Sequence, residues 1–144
     1  MLYRERMDVQ FVAGFGPIVR DDESRRFYQD ALGIELSEPT PGYLDTHSLT
    51  GVKVFALWRL SDAAQSTFAT AEWPSNRTIP QAWLEFELAS AHAVADGEEE
   101  LIAAGYDILA STHVEPWGQT ISRLLSPEGM LVGLSYFAEL HDDQ

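Results

Sequence analysis

An internal repeat is the feature of this sequence that most constrains its fold. The segments Ala31–Leu36 and Ala103–Ile108 each close an apolar helical pattern with a glycine and then enter a strand pattern. The two glycines, Gly33 and Gly105, lie 72 positions apart, which is half of the 144 residues. Since a unit of about 70 residues buries too little surface to cover both faces of a sheet, we expect the halves to pack together or against a second subunit.

Each half is predicted to contain a strand, a helix and further strands, in that order. The first helix begins after Asp21 or Asp22, which are suitable N-cap residues, and ends at Gly33. The second begins after Ser90 and ends at Gly105. The remaining apolar stretches are short, rich in β-branched and aromatic residues, and bounded by turn residues. They predict strands over Val9–Val19, Tyr43–Leu49, Val52–Leu60, Ala82–Leu88, Asp107–Val114, Gln119–Leu125 and Leu131–Phe137.

Composition excludes several kinds of partner and of chemistry. The net charge of −14 argues against nucleic acid and anionic membranes, which need a basic surface, and favours a cationic small molecule. The absence of cysteine excludes disulfides, thiolate metal sites and a cysteine nucleophile. The sequence contains no apolar run of about 18 residues and no N-terminal signal pattern, so we predict a cytoplasmic protein without a membrane partner.

Three segments carry a resemblance to a known family. Ile18–Leu36 is similar to a first strand, helix and second strand with FY and LG landmarks, and Ala82–Ser90 to the strand that opens a second unit. Glu115–Phe137 is similar to a closing hairpin with the motif PWG and the turn SPEG. In these features the chain resembles the vicinal oxygen chelate superfamily, which includes glyoxalase I, extradiol dioxygenases, fosfomycin-resistance enzymes and bleomycin-resistance proteins. The bleomycin-resistance type is the closest in pattern.

The resemblance implies an α+β fold in which two βαβββ repeats form a curved mixed sheet. We expect one domain over 8–138, with repeat 1 at about 8–60, repeat 2 at about 81–138, and polar tails at 1–7 and 139–144. Because the grooves of the family lie between subunits, the resemblance also implies a homodimer. Ser61–Pro80 is predicted to be a loop that shapes the groove or is partly disordered.

The resemblance implies a divalent metal ion held by His or Glu side chains from both units. The three matching positions are instead Gly14, Trp83 and Gly133, and none of these residues ligates a metal. We therefore predict no metal, no cofactor and no catalytic residues, which favours a protein that is not an enzyme.

An alternative metal site outside the family pattern stays open. His113 and Glu115 lie two positions apart, face the same side of a regular strand, and could join His47. The competing interpretation places this pair on a solvent-facing strand edge, and His92 and His141 on the surface.

Aromatic side chains are the leading candidates for ligand binding. The resemblance implies that Trp117, in the PWG motif, borders the groove and stacks on flat rings. Trp83, at a vacated ligand position, is expected to point into the cavity. Phe55 and Trp58 lie on a strand that borders the same cavity, and their opposite parity allows at most one of them to face it.

Glu85 and Glu87 alternate with apolar residues and so share one face of a strand, where they are either solvated or in contact with a ligand. With the four aromatic candidates they predict a metal-independent protein that binds or sequesters a flat or cationic, bleomycin-like ligand. One alternative is a metal-dependent lyase or dioxygenase with relocated ligands. Another is a regulatory module whose groove is filled by its own side chains.

Overall fold

Eight strands form one mixed sheet in the computed structural model, which describes residues 6–141. The sheet order is β2-β3-β4-β1-β5-β8-β7-β6, and the two central strands, β1 and β5, pair antiparallel. Each half therefore has the same internal order, which confirms the two predicted βαβββ repeats and the α+β fold. The strand bounds are β1 Phe11–Val19, β2 Ser37–Thr40, β3 Tyr43–Thr46, β4 Val54–Arg59, β5 Ala82–Glu87, β6 Ile108–Val114, β7 Thr120–Leu125 and β8 Leu131–Tyr136.

The two predicted helices follow the first strand of each repeat and lie on one face of the sheet. In repeat 1, the short helix α1 (Glu23–Arg25) continues as a π-helix over Arg26–Ala31. In repeat 2, helix α3 (Ala91–Ala103) is capped by Ser90, whose side chain accepts a hydrogen bond from the backbone N–H of Ala93 at 3.0 Å. No helix among residues 6–141 is long and apolar enough to cross a membrane.

Helix α2 (Leu60–Phe68) and a 3₁₀ helix over Ala138–His141 were not predicted, and the strand predicted to begin after Gly33 lies later, at Ser37–Thr40. Strand β2 lies in a Pro-rich stretch typical of a turn, and all four of its residues are exposed, so it shows no apolar alternation. Helix α2 occupies part of the segment predicted to be a loop. Its buried residues are small, namely Ala63, Ala64 and Thr67, and Arg59, which precedes it, is not a capping residue, so the sequence carries no start signal for this helix.

Helix α2 lies on the opposite side of the sheet from α1 and α3. Ala63 and Ala64 are fully buried in a cluster with Ile18, Trp58 and Trp83. We call this side of the sheet the covered face. Its side chains come from Tyr43, Asp45, Trp58, Trp83, Glu85, Glu87, Glu115 and Arg123.

Glycines in β1 make room for Trp83 on the covered face. A Cβ atom at Gly14 would lie 2.6 Å from the Trp83 ring, and one at Gly16 would lie 1.9 Å from the carbonyl oxygen of Ala56. The same carbonyl accepts a hydrogen bond from Trp83 Nε1 at 3.1 Å. The indole therefore packs directly against the central strand.

Substituting Gly14 by Ala tests this packing. We expect Gly14→Ala to lower the free energy of unfolding by about 1–3 kcal/mol, because the added methyl group overpacks the site. In a Trp83→Phe background, whose shorter ring leaves space, the same substitution should cost little. Denaturant unfolding of the four proteins in a double-mutant cycle measures the coupling, and additive effects would contradict the contact.

Glu98 connects α3 to the outer strands of repeat 2. Its carboxylate accepts hydrogen bonds from the backbone N–H and hydroxyl of Thr112 and from the hydroxyl of Ser122. Burial alone would raise the pKa of Glu98, but these hydrogen bonds to the charged form outweigh burial, so the pKa is lowered.

This lowered pKa predicts a pH-dependent contribution to stability. A carboxyl group with a lower pKa in the folded state stabilises the fold above its unfolded pKa, and this stabilisation is lost as the pH falls through the folded pKa. We expect Glu98→Gln to be less stable than the wild type at pH 7, with the difference shrinking as the pH falls. Chemical denaturation across this pH range measures it, and a pH-independent difference would exclude ionisation as the cause.

Candidate functional site

The three positions where the resemblance implies metal ligands lie close together on the covered face. Gly14 pairs with Glu85 across β1 and β5, and Glu85 pairs with Gly133 across β5 and β8. The third position, Trp83, lies two residues before Glu85 on the same side of β5. The three positions at which the resemblance implies metal ligands are therefore neighbours at the centre of the sheet.

Other side chains fill the space that these positions leave. The Trp83 ring lies over Gly14. A Cβ atom at Gly133 would lie 3.1 Å from Glu85 Cγ and 3.5 Å from Arg123 Nη1. An indole and a guanidinium thus lie next to the backbone positions at which the resemblance implies metal ligands.

Arg123 is the centre of a buried ion-pair network. Its side chain is 1% exposed and donates to Glu85 Oε2 at 2.9 Å and to Glu115 Oε2 at 3.4 Å. The guanidinium carbon also lies 4.8 Å from the ring centroid of Trp58, within range of a cation–π interaction. Ser66 of α2 donates its hydroxyl to Glu115 Oε2, so the network joins α2 to the sheet.

Gln119 connects the exposed Trp117 to the same network. Trp117 Nε1 donates to Gln119 Oε1 at 2.9 Å, and Gln119 Nε2 donates to Glu85 Oε1 and to Ser135 Oγ, both at 2.8 Å. Trp117 is 51% exposed, whereas Glu85 is 8% exposed. The indole of Trp117 therefore lies at the margin of the covered face, one side chain away from a buried carboxylate.

Glu87 continues this network toward the end of the chain. Its fully buried carboxylate accepts hydrogen bonds from Ser135 Oγ at 2.7 Å and from the backbone N–H of Phe137 at 2.6 Å. His141 Nε2 lies 2.8 Å from the second oxygen of Glu87. The prediction that His141 is an ordinary surface residue is wrong, while the outer parts of the predicted tails, 1–5 and 142–144, lie outside the described residues.

Among the described residues, every buried charged side chain belongs to the covered face. Four are carboxylates and one is a guanidinium, namely Asp45, Glu85, Glu87, Glu115 and Arg123. Burial raises the pKa of Tyr43, and the negative charges of Asp45 and Glu85 add to this effect while Arg123 opposes it. Imidazoles border the site, where His47 contacts Asp45 at 3.3 Å and His113 contacts Glu115 at 3.4 Å.

The structure separates the predicted ligand-binding residues into two sets. Trp58, Trp83, Glu85 and Glu87 are buried on the covered face. Phe55 packs on the opposite side, with its ring centroid 5.8 Å from that of Tyr28. The opposite parity predicted for Phe55 and Trp58 is confirmed.

The predicted off-pattern metal site does not assemble. His113 and Glu115 lie on the same side of the chain, as expected, but Glu115 is 6% exposed, so its placement on a solvent-facing edge is wrong. His47 pairs with Asp45 instead. Within residues 6–141, no group of three or more His, Cys, Asp or Glu side chains could hold a metal ion.

These residues do not fit the divalent ion that the resemblance implies. The three implied positions carry no ligating group, and the two nearest carboxylates, Glu85 and Glu115, are already paired with Arg123. A metal ion there would have to take both carboxylates from the guanidinium, which would leave Arg123 buried without a counter-charge.

Two open surface clefts lie away from these residues. One, of about 500 Å³, is lined by Phe11, Val12 and residues 47–53. The other, of about 470 Å³, is lined by Val19, Arg20, residues 59–61, residues 71–73 and Ile79. None of the six predicted ligand-binding residues lines either cleft.

Sequence reasoning missed Arg123, Gln119 and Ser135. A signal was present for Arg123, because a charged residue between Ile121 and Leu124 in a strand buried on both faces must have a buried partner. The two uncharged residues gave no comparable signal, since Ser and Gln are ordinary at strand ends.

Two βαβββ repeats in one continuous sheet are the fold of the glyoxalase/bleomycin resistance protein/dioxygenase superfamily. Several solved structures are similar to this chain in fold. A superfamily member from Vibrio splendidus 12B01 has a TM-score of 0.58 and 16% identity over 90% of this chain and 100% of its own. A protein described as an NAD-dependent benzaldehyde dehydrogenase from Legionella pneumophila has a TM-score of 0.57 and 14% identity over 86% and 97% of the two chains.

A third structure is the Mn(II)-bound glyoxalase from Novosphingobium aromaticivorans, with a TM-score of 0.53 and 19% identity over 91% of this chain and 39% of that one. No family model and no curated protein matches the sequence. The predicted resemblance is confirmed at the level of the fold, and the different activities named for the Legionella and Novosphingobium proteins show that the fold alone does not determine function.

Replacing Arg123 tests the buried network. We expect Arg123→Met to lower the free energy of unfolding by about 3–5 kcal/mol, because it leaves Glu85 and Glu115 buried without a counter-charge. Arg77→Met is the control, since it breaks a solvent-exposed pair with Asp107 and should change stability little. Denaturant unfolding measures both variants, and equal losses would show that Arg123 contributes no more than a surface ion pair.

Proposed function

We propose that this protein binds a flat, cationic small molecule without a metal ion and without catalysing a reaction. The observation that carries the proposal is the covered face, where Arg123 pairs with two buried carboxylates beside the indole of Trp58, and two further carboxylates are buried nearby on the same face. Trp117 provides a half-exposed aromatic surface at the margin of this face. The same face lacks ligating side chains at the positions where a metal-dependent relative would carry them.

Charge supports a cationic ligand. The buried carboxylates outnumber the buried guanidinium by four to one, so a positively charged group entering this region would meet an excess of negative charge. An aromatic plane adds about 0.5–2 kcal/mol for a cation placed over it. The net charge of −14 would also speed the arrival of a cation, and salt would reduce this effect.

We further propose that the protein acts by sequestration, as a cytoplasmic homodimer, and that bleomycin-like antibiotics are among its candidate ligands. Bleomycin combines cationic groups with flat heteroaromatic rings, which suits this surface. An acidic aromatic face stabilises such a molecule by contact alone, so no bond in the ligand needs to be broken.

One other function is favoured by a specific observation. Trp83 is 4% exposed and α2 lies over the covered face, which supports a regulatory module whose groove is filled by its own side chains. The exposed Trp117 and the excess of buried carboxylates favour ligand binding instead. A metal-dependent enzyme with relocated ligands has weaker support, because His47 and His113 pair with different carboxylates.

Calorimetric titration with two probes, ethidium and bleomycin, tests ligand binding. We expect ethidium, a flat cation, to bind the wild type, with an affinity that falls as salt increases. Trp117→Ala should weaken binding about tenfold through the lost stacking and cation–π contact.

Phe27→Ala is the matched control for this experiment. Phe27 is 54% exposed, close to the value for Trp117, but it belongs to the π-helix on the other side of the sheet, so its loss should leave affinity unchanged. Binding of ethidium without bleomycin would exclude bleomycin and keep the ligand class. No binding of either probe at millimolar concentration would contradict the proposal and favour the self-filled module.

A further inference from the structure

Helix α2 occupies the surface on which the proposed ligand would lie. Its buried residues Ala63 and Ala64 pack in one cluster with Trp58 and Trp83. Its Ser66 hydroxyl donates to Glu115 Oε2, the oxygen that also accepts a hydrogen bond from Arg123. A ligand that contacts these indoles and carboxylates therefore competes with α2 for the same partners.

Helix α2 has three local features that lower its stability. The residue that follows it, Ala69, has φ of +61° and is the sole non-glycine residue with positive φ among residues 6–141. Thr67 is buried, yet its hydroxyl has no hydrogen-bond partner. Arg59, which precedes the helix, provides no side-chain cap for its first turn.

Helix α3 provides the contrast. Ser90 caps its first turn, and its C-cap residue, Ala104, has an ordinary φ of −83°. Elements with unsatisfied groups and strained backbone open locally at lower free-energy cost than well-satisfied ones. Hence α2 should open before α3 and before the sheet.

We propose that α2 is a movable cover over the ligand site, and that ligand binds the minor population in which α2 has lifted from the covered face. This inference rests on the proposed function for the class of ligand. Lifting α2 exposes Trp58, Trp83 and the Glu115 carboxylate while the ion pair between Arg123 and Glu85 stays intact. The apparent dissociation constant then equals the intrinsic one divided by the open fraction.

Two single substitutions shift this equilibrium in opposite directions. Ala69→Gly removes the cost of the left-handed conformation and should lower the open population about fivefold. Ser66→Ala removes a hydrogen bond to a charged acceptor and should raise the open population about tenfold. The apparent dissociation constant for ethidium should therefore rise about fivefold in Ala69→Gly and fall about tenfold in Ser66→Ala.

Hydrogen exchange and calorimetry on the full chain give the two readouts. Amide exchange of peptides over 60–69 and 91–104, followed by mass spectrometry, reports the opening of α2 and α3 separately. Ala104→Gly is the matched control, because it places glycine at the end of α3 without relieving strain. It should leave both the exchange of α2 and the affinity for ethidium unchanged.

The outcomes separate this inference from the proposed function. Parallel shifts in α2 exchange and in ethidium affinity support both. Exchange of α2 as slow as that of α3 overturns the cover, and so does an ethidium affinity that stays constant while α2 exchange shifts. If α2 exchange shifts as expected and no variant binds ethidium, the movable cover stands and the proposed ligand class is wrong.

Discussion

The buried contact of Arg123 with Glu85 and Glu115 is the interaction on which the rest of the covered face depends. A guanidinium at 1% exposure is tolerable only because two carboxylates and an indole surround it. Its partners come from β5 and from the segment that follows β6, so one side chain ties together strands that are distant in sequence. Glu115 also accepts a hydrogen bond from Ser66, so the ion-pair network extends to helix α2.

The ion pair lies where the resemblance implies a metal ion. In a metal site, a cation held by His or Glu side chains balances the negative charge at the centre of the sheet. In this chain the positive charge belongs to a side chain of the protein, the Arg123 guanidinium beside Gly133. The Trp83 ring fills the space over Gly14. The region keeps an excess of carboxylates but offers them no open coordination position. This arrangement is the basis on which we propose recognition of an organic cation.

How much was predictable from the sequence differs from element to element. The repeat, the seven strands predicted from apolar stretches and both repeat helices follow from local signals, because Gly33, Ser90 and Gly105 act within one turn of the chain. The position of strand β2 and the presence of helix α2 do not, because the exposed residues of β2 lack apolar alternation and α2 begins without a capping residue. The network around Arg123 depends on pairing between strands, which no local pattern encodes, so Glu85 was identified while its partner was missed.

In both repeats, the segment that follows the last strand contacts the covered face. After the fourth strand of repeat 1, the chain forms α2, and Ser66 donates to the buried Glu115. After the fourth strand of repeat 2, it forms a short 3₁₀ helix over Ala138–His141, and His141 contacts the buried Glu87. Each closing segment thus contacts one buried carboxylate of the covered face, in addition to the partners that this carboxylate has within the sheet. We propose that a ligand with its own positive charge competes with both contacts, so that the segments outside the repeat pattern, rather than the sheet, control access to this site.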